Sequence, residues 1–320
     1  MFALFFLLFL FLIVFGFIQW LRDYGQRMKF HHHYTRLCPQ PVIDQTDIVF
    51  TGEQLALTNQ KVDDILTKRF PYYRHLAPEL KQLFIERLQK FMCKKTFIIK
   101  DDEGFKDMPV LVSAAAIQLT FGLHKFRLPF YKYIRIFPGE YFSDQEFLRV
   151  LAGNVQNNVI SIAWNHLLMG YENDSDGKNI PLHEMSHALY IQEMVIDINH
   201  SELFQLKYQE LHGRFRIAHS MESQGDKDHY SEYAETNLQE FWAESVELFF
   251  EKPNELFEQY PQVFEAMKEL LNQDPRNTLY PVLQKNEAFL QKAGRLVNRV
   301  LDRVSSEIGM VIMCICIYPG

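Results

Sequence analysis

The chain has 320 residues, 48% hydrophobic and 23% charged, with a formal net charge of -7 and a sequence pI near 6.0. That apolar share is enough for one substantial globular domain with appendages, and it excludes a disordered or fibrous chain. The acidic balance, with no basic patch dense enough to neutralise a phosphate backbone, excludes nucleic acid as the main partner.

Phe2 to Trp20 is an almost uninterrupted run of Phe, Leu, Ile and Val, and about 20 such residues is the length a helix needs to cross a bilayer. No basic residue precedes the run and no small-residue cleavage pattern follows it, so it reads as an uncleaved anchor over residues 1–24 rather than a signal peptide. Arg22, Arg27 and Lys29 follow, opposed only by Asp23, which puts the downstream chain on the cytoplasmic face of the membrane. His31-His32-His33 falls in a polar linker over residues 25–50 and reads as solvated or facing headgroups rather than as a metal site.

From Thr51 the pattern is globular, giving one domain over residues 51–276. Leu80 to Met92 has apolar residues at helical spacing after a start signal at Ala77-Pro78, and Thr96 to Lys100 reads as a short strand. Pro109 to Leu123, containing Ala114-Ala115-Ala116, is expected to be a buried helix. Tyr131 to Phe137 and Val159 to Trp164 are β-branched and aromatic runs bounded by turn residues, and so are expected strands. Glu172 to Gly177 is a polar loop, and helices dominate from Ile180 onward. The expected class is α+β, with a small sheet in the N-terminal half. Residues 277–320 form a helical extension whose apolar tail, Ile308 to Tyr318, is too short to span a membrane and is expected to pack on the domain or lie at an interface. Cys38, Cys93, Cys314 and Cys316 are too few and too scattered for a disulfide framework or a zinc ribbon. They read as ordinary thiols of a reducing compartment, with Cys314 and Cys316 packing in the apolar tail.

The chemistry is concentrated at His183-Glu184-Met185-Ser186-His187. Four residues apart, His183 and His187 lie about 40° apart around a helix and one turn apart along it, so both imidazoles reach one ion. Glu184, rotated by about 100° from His183, falls beside that ion, where it can take a proton from a water. This is the physical content of the H-E-x-x-H signature. An incidental match on a surface helix is opposed by the apolar flanks Ile180-Pro181-Leu182 and Ala188-Leu189. A buried helix does not keep such groups unpartnered, since each would cost about 1 to 3 kcal/mol.

A catalytic zinc needs a third protein ligand and an open position. Glu193 is rejected: Tyr190 stands where a glycine turn would be needed, and on a continuing helix Glu193 points about 240° away from His187. Asp197 lies about 15 Å farther along the axis than His187, too far to share the ion. Glu240 is the better candidate, in a buried helix over Leu238 to Phe250 where Glu240, Glu244 and Glu247 share one face. Either Glu244 or Glu247 can orient a ligand histidine.

These residues resemble the Mlc titration factor A family of zinc peptidases, gluzincins whose catalytic core is similar to that of anthrax lethal factor. The resemblance is carried by Ser161-Ile162-Ala163-Trp164 and Asn179-Ile180-Pro181-Leu182-His183-Glu184-Met185-Ser186-His187. It continues at Tyr233-Ala234, with Glu240 seven residues after Tyr233, and at Phe249-Phe250, Pro253 and Glu255-Leu256-Phe257. It covers Pro71 to Gln273 and implies a zincin-like peptidase domain in which His183, His187 and Glu240 bind zinc (Zn2+) and Glu184 is the general base. By the same carry-over, Tyr233 stabilises the oxyanion, and the strand at Val159 to Trp164 is the edge along which a peptide lies. The anchor, the linker and the tail beyond Pro275 fall outside the resemblance. The family's name refers to sequestering a repressor of sugar uptake, a role not carried over to this chain.

The expected function is therefore membrane-anchored, zinc-dependent hydrolysis of a peptide or protein substrate. The alternative is a membrane-tethered regulator that keeps the zinc fold and sequesters a protein partner. Intact Glu184 and Tyr233 favour the enzyme, and a purely structural metal site is weaker because three ligands beside a base describe an open coordination position.

Overall fold

Three of the β-branched runs meet in one mixed sheet. The computed structural model describes residues 38, 40–55, 57–101, 104–105, 107–143, 149–197, 201–222, 230–231, 234 and 237–276. The strands are β1 (Ile48–Thr51), β2 (Thr96–Ile99), β3 (Tyr133–Phe137), β4 (Tyr141–Phe142), β5 (Val150–Leu151), β6 (Gly153–Gln156) and β7 (Val159–Ala163). Five of them form a sheet in the order β1-β2-β3-β7-β6, while β4 and β5 pair separately as a small antiparallel ribbon. β2, β3 and β7 run parallel, and β1 and β6 close the two sides antiparallel.

This order corrects the expectation that Val159 to Trp164 is the edge. β7 is paired on both sides, and among the described residues the edge next to it is β6, with β1 at the far side of the sheet. All five residues of β7 are buried, Ser161 included, as in a strand covered on both faces. β6, with every residue half-exposed, is what an edge looks like. Trp164 already belongs to the following helix.

The helices are α1 (Asn59–Arg69), α2 (Pro71–Arg74), α3 (Pro78–Met92), α4 (Asp107–Thr120), α5 (Trp164–Glu172), α6 (Ile180–Ile191), α7 (Glu202–Glu222), α8 (Leu238–Glu251), α9 (Pro253–Gln259) and α10 (Pro261–Leu271). The class is thus α+β, with the sheet in the N-terminal half and helices beyond it. Sequence reading passed over α1 and α5, although Thr58 caps α1 by accepting from Lys61 N at 3.2 Å ahead of the buried Val62, Ile65 and Leu66.

α4 is buried from Met108 to Thr120, as expected of a helix apolar all round. Its C-terminal carbonyls are met by the buried Arg87 of α3, which donates to Phe121 O and Leu123 O, both at 2.8 Å. At Gly122 a Cβ would sit 2.2 Å from Leu271 O, so only glycine allows the chain end of α10 to come this close. Lys95, also buried, donates to the carbonyls of Arg127, Leu128 and Tyr131 at 2.6 to 2.8 Å. It thereby fixes the approach to β3.

α6 is the hub, packed against α4, α8, β6 and β7. It passes into one π-helical turn, Gln192–Ile196. Among the described residues no helix is long and apolar enough to cross a membrane. The expected anchor Phe2–Trp20, His31–His33, Tyr233, Cys314 and Cys316 lie outside the described residues.

Candidate metal centre

The N-terminus of α6 is set by Asn179, whose side chain accepts from Leu182 N at 3.1 Å, with Pro181 in the first turn. One turn in, His183 and His187 bring their Nε2 atoms to 3.1 Å from each other. α8 begins at Asn237, whose side chain accepts from Gln239 N at 2.9 Å, which places Glu240 in its first turn. The Glu240 carboxylate then lies 3.3 Å from His183 Nε2 and 3.5 Å from His187 Nε2. One ligand atom from each of the three residues falls within 4.8 Å of the others. Trp242 Nε1 donates to Ser186 O at 2.8 Å inside the core and so holds α8 on α6.

Two imidazole nitrogens and a carboxylate aimed at one point need a positive charge between them. Without a metal, His183 supplies it. Burial opposes its charge, but the carboxylates of Glu240 and Glu247 overcome that and raise its pKa well above the usual 6.5. His187 is pushed down to about 4 by burial and by the charge on His183. The hydrogen bond to His183 holds Glu240 below the ordinary carboxylate value. A divalent cation answers the same demand, and this donor set of two imidazoles and a carboxylate suits zinc.

Glu247 decides which nitrogen of His183 faces the focus. Its Oε2 lies 2.9 Å from His183 Nδ1, and its Oε1 accepts from Asn179 N at 2.6 Å. A carboxylate only accepts, so Nδ1 keeps its proton and Nε2 is the nitrogen available to an ion. Of the two carboxylates that the sequence left open, Glu247 is therefore the one that orients a histidine. Glu244 instead accepts from Ser231 N at 2.8 Å and from Ser231 Oγ at 2.5 Å. His187 Nδ1 is buried with no hydrogen-bond partner among the described residues.

Glu184 is only 6% exposed. Burial raises its carboxyl to about 7, with the charge of His183 pulling it down and Glu240 and Glu247 pushing it up. Glu184 lies against β6, where a Cβ on Gly153 would stand 2.6 Å from Glu184 Cγ and 2.7 Å from Oε1. Gly153 was not singled out in the sequence, although a glycine inside a strand is a sign of close approach. The cleft in front of these groups has a volume of about 440 Å³ and is lined by His183, Glu184, His187 and Glu240, by Gly153 to Gln156 of β6, and by Arg149 and Gln239.

Glu193 and Asp197 stand apart from this group. Glu193 lies buried on the π-helical turn, 3.9 Å from Lys125, and Asp197 is 3.4 Å from the same lysine. Neither belongs to the grouping of His183, His187 and Glu240.

The model of the family described as glucose-regulated metallo-peptidase M90 matches residues 52–271. A relative from Synechocystis sp. (strain ATCC 27184 / PCC 6803 / Kazusa), called uncharacterized protein slr2042, is 23% identical over 235 residues. Those residues cover 66% of this chain and 83% of the relative.

Proposed function

Because this chain belongs to the glucose-regulated metallo-peptidase M90 family, we propose that it is a zinc peptidase of the gluzincin type, with a zincin-like domain. His183, His187 and Glu240 hold the ion and Glu184 is the general base. The observation that carries this reading is the convergence of a carboxylate from α8 with two imidazoles of α6 beside a buried glutamate.

Zinc bound there would supply Lewis acidity, lowering the pKa of a water toward about 7 and polarising a peptide carbonyl. Glu184, buried beside the three ligands, would take a proton from the attacking water and return it to the leaving amine. Glu247 keeps His183 in its tautomer. The hydroxyl of Tyr233 is the proposed donor to the oxyanion. The outer edge of β6 offers main-chain hydrogen bonds to an extended peptide or protein substrate. The apolar run Phe2 to Trp20, with Arg22, Arg27 and Lys29 after it, supports a single-pass tether with the peptidase domain on the cytoplasmic side.

The purified chain is expected to cleave generic fluorogenic peptides, to lose that activity to a chelator and to regain it with zinc. Zinc binding without turnover would favour the tethered binding protein instead, and absence of both would overturn the reading. Gly153→Ala tests the base separately. The added methyl meets Glu184 first and displaces its carboxylate, and a misplacement of about 1 Å costs on the order of 100-fold in rate. Turnover should fall by about that factor with zinc content unchanged. Unaltered turnover would show that Glu184 does not depend on the space beside Gly153.

A further inference from the structure

A second cavity, of about 130 Å³, shares no lining residue with the metal cleft. It is close to the size that admits one benzene-sized molecule, about 150 Å³. Phe70, Tyr72, Tyr171 and Phe250 give it aromatic walls, and Glu251, Asp174 and Asp274 are its carboxylates; no lysine or arginine lines it. Asp274 is paired with Lys268 at 3.0 Å and with Arg276 at 3.5 Å. Glu251 has no such partner among the described residues. Its carboxylate accepts from Gly177 N at 2.9 Å, Lys178 N at 3.0 Å and Asn179 Nδ2 at 2.8 Å. A carboxylate has about four acceptor positions, so one remains. Burial pushes this carboxyl up to about 7 despite those donors, as befits an acid without a counter-ion.

We propose that this cavity binds a small organic ammonium ion of roughly benzylamine size, its charge on Glu251 and its body against the aromatic faces. The same hydrogen bonds connect it to the metal centre. Asn179 holds Glu251 with its side chain and gives its backbone N–H to Glu247 Oε1 at 2.6 Å, and Glu247 Oε2 lies 2.9 Å from His183 Nδ1. An ammonium ion drawing on Glu251 therefore shifts Asn179, and through it the carboxylate that orients His183. This second half rests on the reading of His183 as a zinc ligand; the first half does not.

The test is calorimetric titration of benzylammonium, with benzyl alcohol as its neutral counterpart, into the full chain freed of metal. Benzylammonium should bind saturably and at least tenfold more tightly than the alcohol. Glu251→Gln should erase that preference. Phe250→Leu, which leaves every hydrogen bond of Glu251 in place, should weaken the ammonium severalfold. Equal binding of the two probes, or an ammonium affinity indifferent to both variants, overturns the site. Saturating benzylammonium should also change zinc affinity by about fivefold or more, with zinc changing benzylammonium affinity by the same factor. An unchanged zinc affinity overturns the link. A chain that binds no zinc at all would sink the metal reading while the first titration still stands.

Discussion

Glu184→Gln is expected to lower peptide cleavage by at least about 10³-fold while zinc stays bound, and to leave the metal-free protein more stable than its parent above pH 7. The first effect follows from position. On the proposed reading Glu184 is no ligand, so the amide would leave the three metal ligands in place and remove only the group that carries the proton. The second follows from burial. The folded protein holds the Glu184 proton up to about pH 7, against an ordinary value of 4.5, so between those values the folded state binds more protons than the unfolded one. Parent stability therefore falls as pH rises from 4.5 to 7 and the penalty is constant above. The full shift corresponds to about 3 kcal/mol, and an imperfectly bonded buried amide would offset about 1 kcal/mol of the gain. Urea unfolding of both metal-free proteins should show a stability difference that grows across this window and then levels off. Cleavage by the variant at more than about a tenth of the parent rate would remove Glu184 as the base.

Glu240→Ala should reduce zinc affinity by about 10³-fold or more, because two imidazoles from one helix leave the ion with too few protein ligands. Glu244→Ala, one turn further along α8, should leave zinc affinity unchanged, since that carboxylate holds Ser231 rather than a histidine. A competition titration against a chromogenic chelator reads both variants. Equal zinc affinity in parent and Glu240→Ala would mean that α8 supplies no ligand, and the gluzincin reading would fall with it. Stability alone cannot mimic the contrast, because Glu240 is half-buried at the cleft and its loss opens no cavity in the core.

His183 and His187 were legible because four residues on a helix set their relation by geometry alone. Glu240 was reachable one step further, through the amphipathic pattern of its own helix. The choice between Glu244 and Glu247 was not, because both share a face. What separates them is where the Asn179 and Ser231 N–H groups come to rest, more than ten residues away in each case. The strand order failed for a related reason. Local pattern marks a run as a strand, but its neighbours are set by pairings between distant segments, and β6 carries too few apolar residues to announce itself. The mostly apolar run of β7, broken only by Ser161, pointed to a strand covered on both faces but did not say which strands flank it. Gly153 was hidden because its role lies in the side chain opposite, which no local window contains.

The clasp between Trp242 and Ser186 has a consequence for how this chain can change over time. With α8 fastened to α6 inside the core, the closeness of Glu240 to His183 and His187 is set by the packing of two helices on each other. Substitutions on the outward faces of α6 and α8 can therefore accumulate without parting the three side chains.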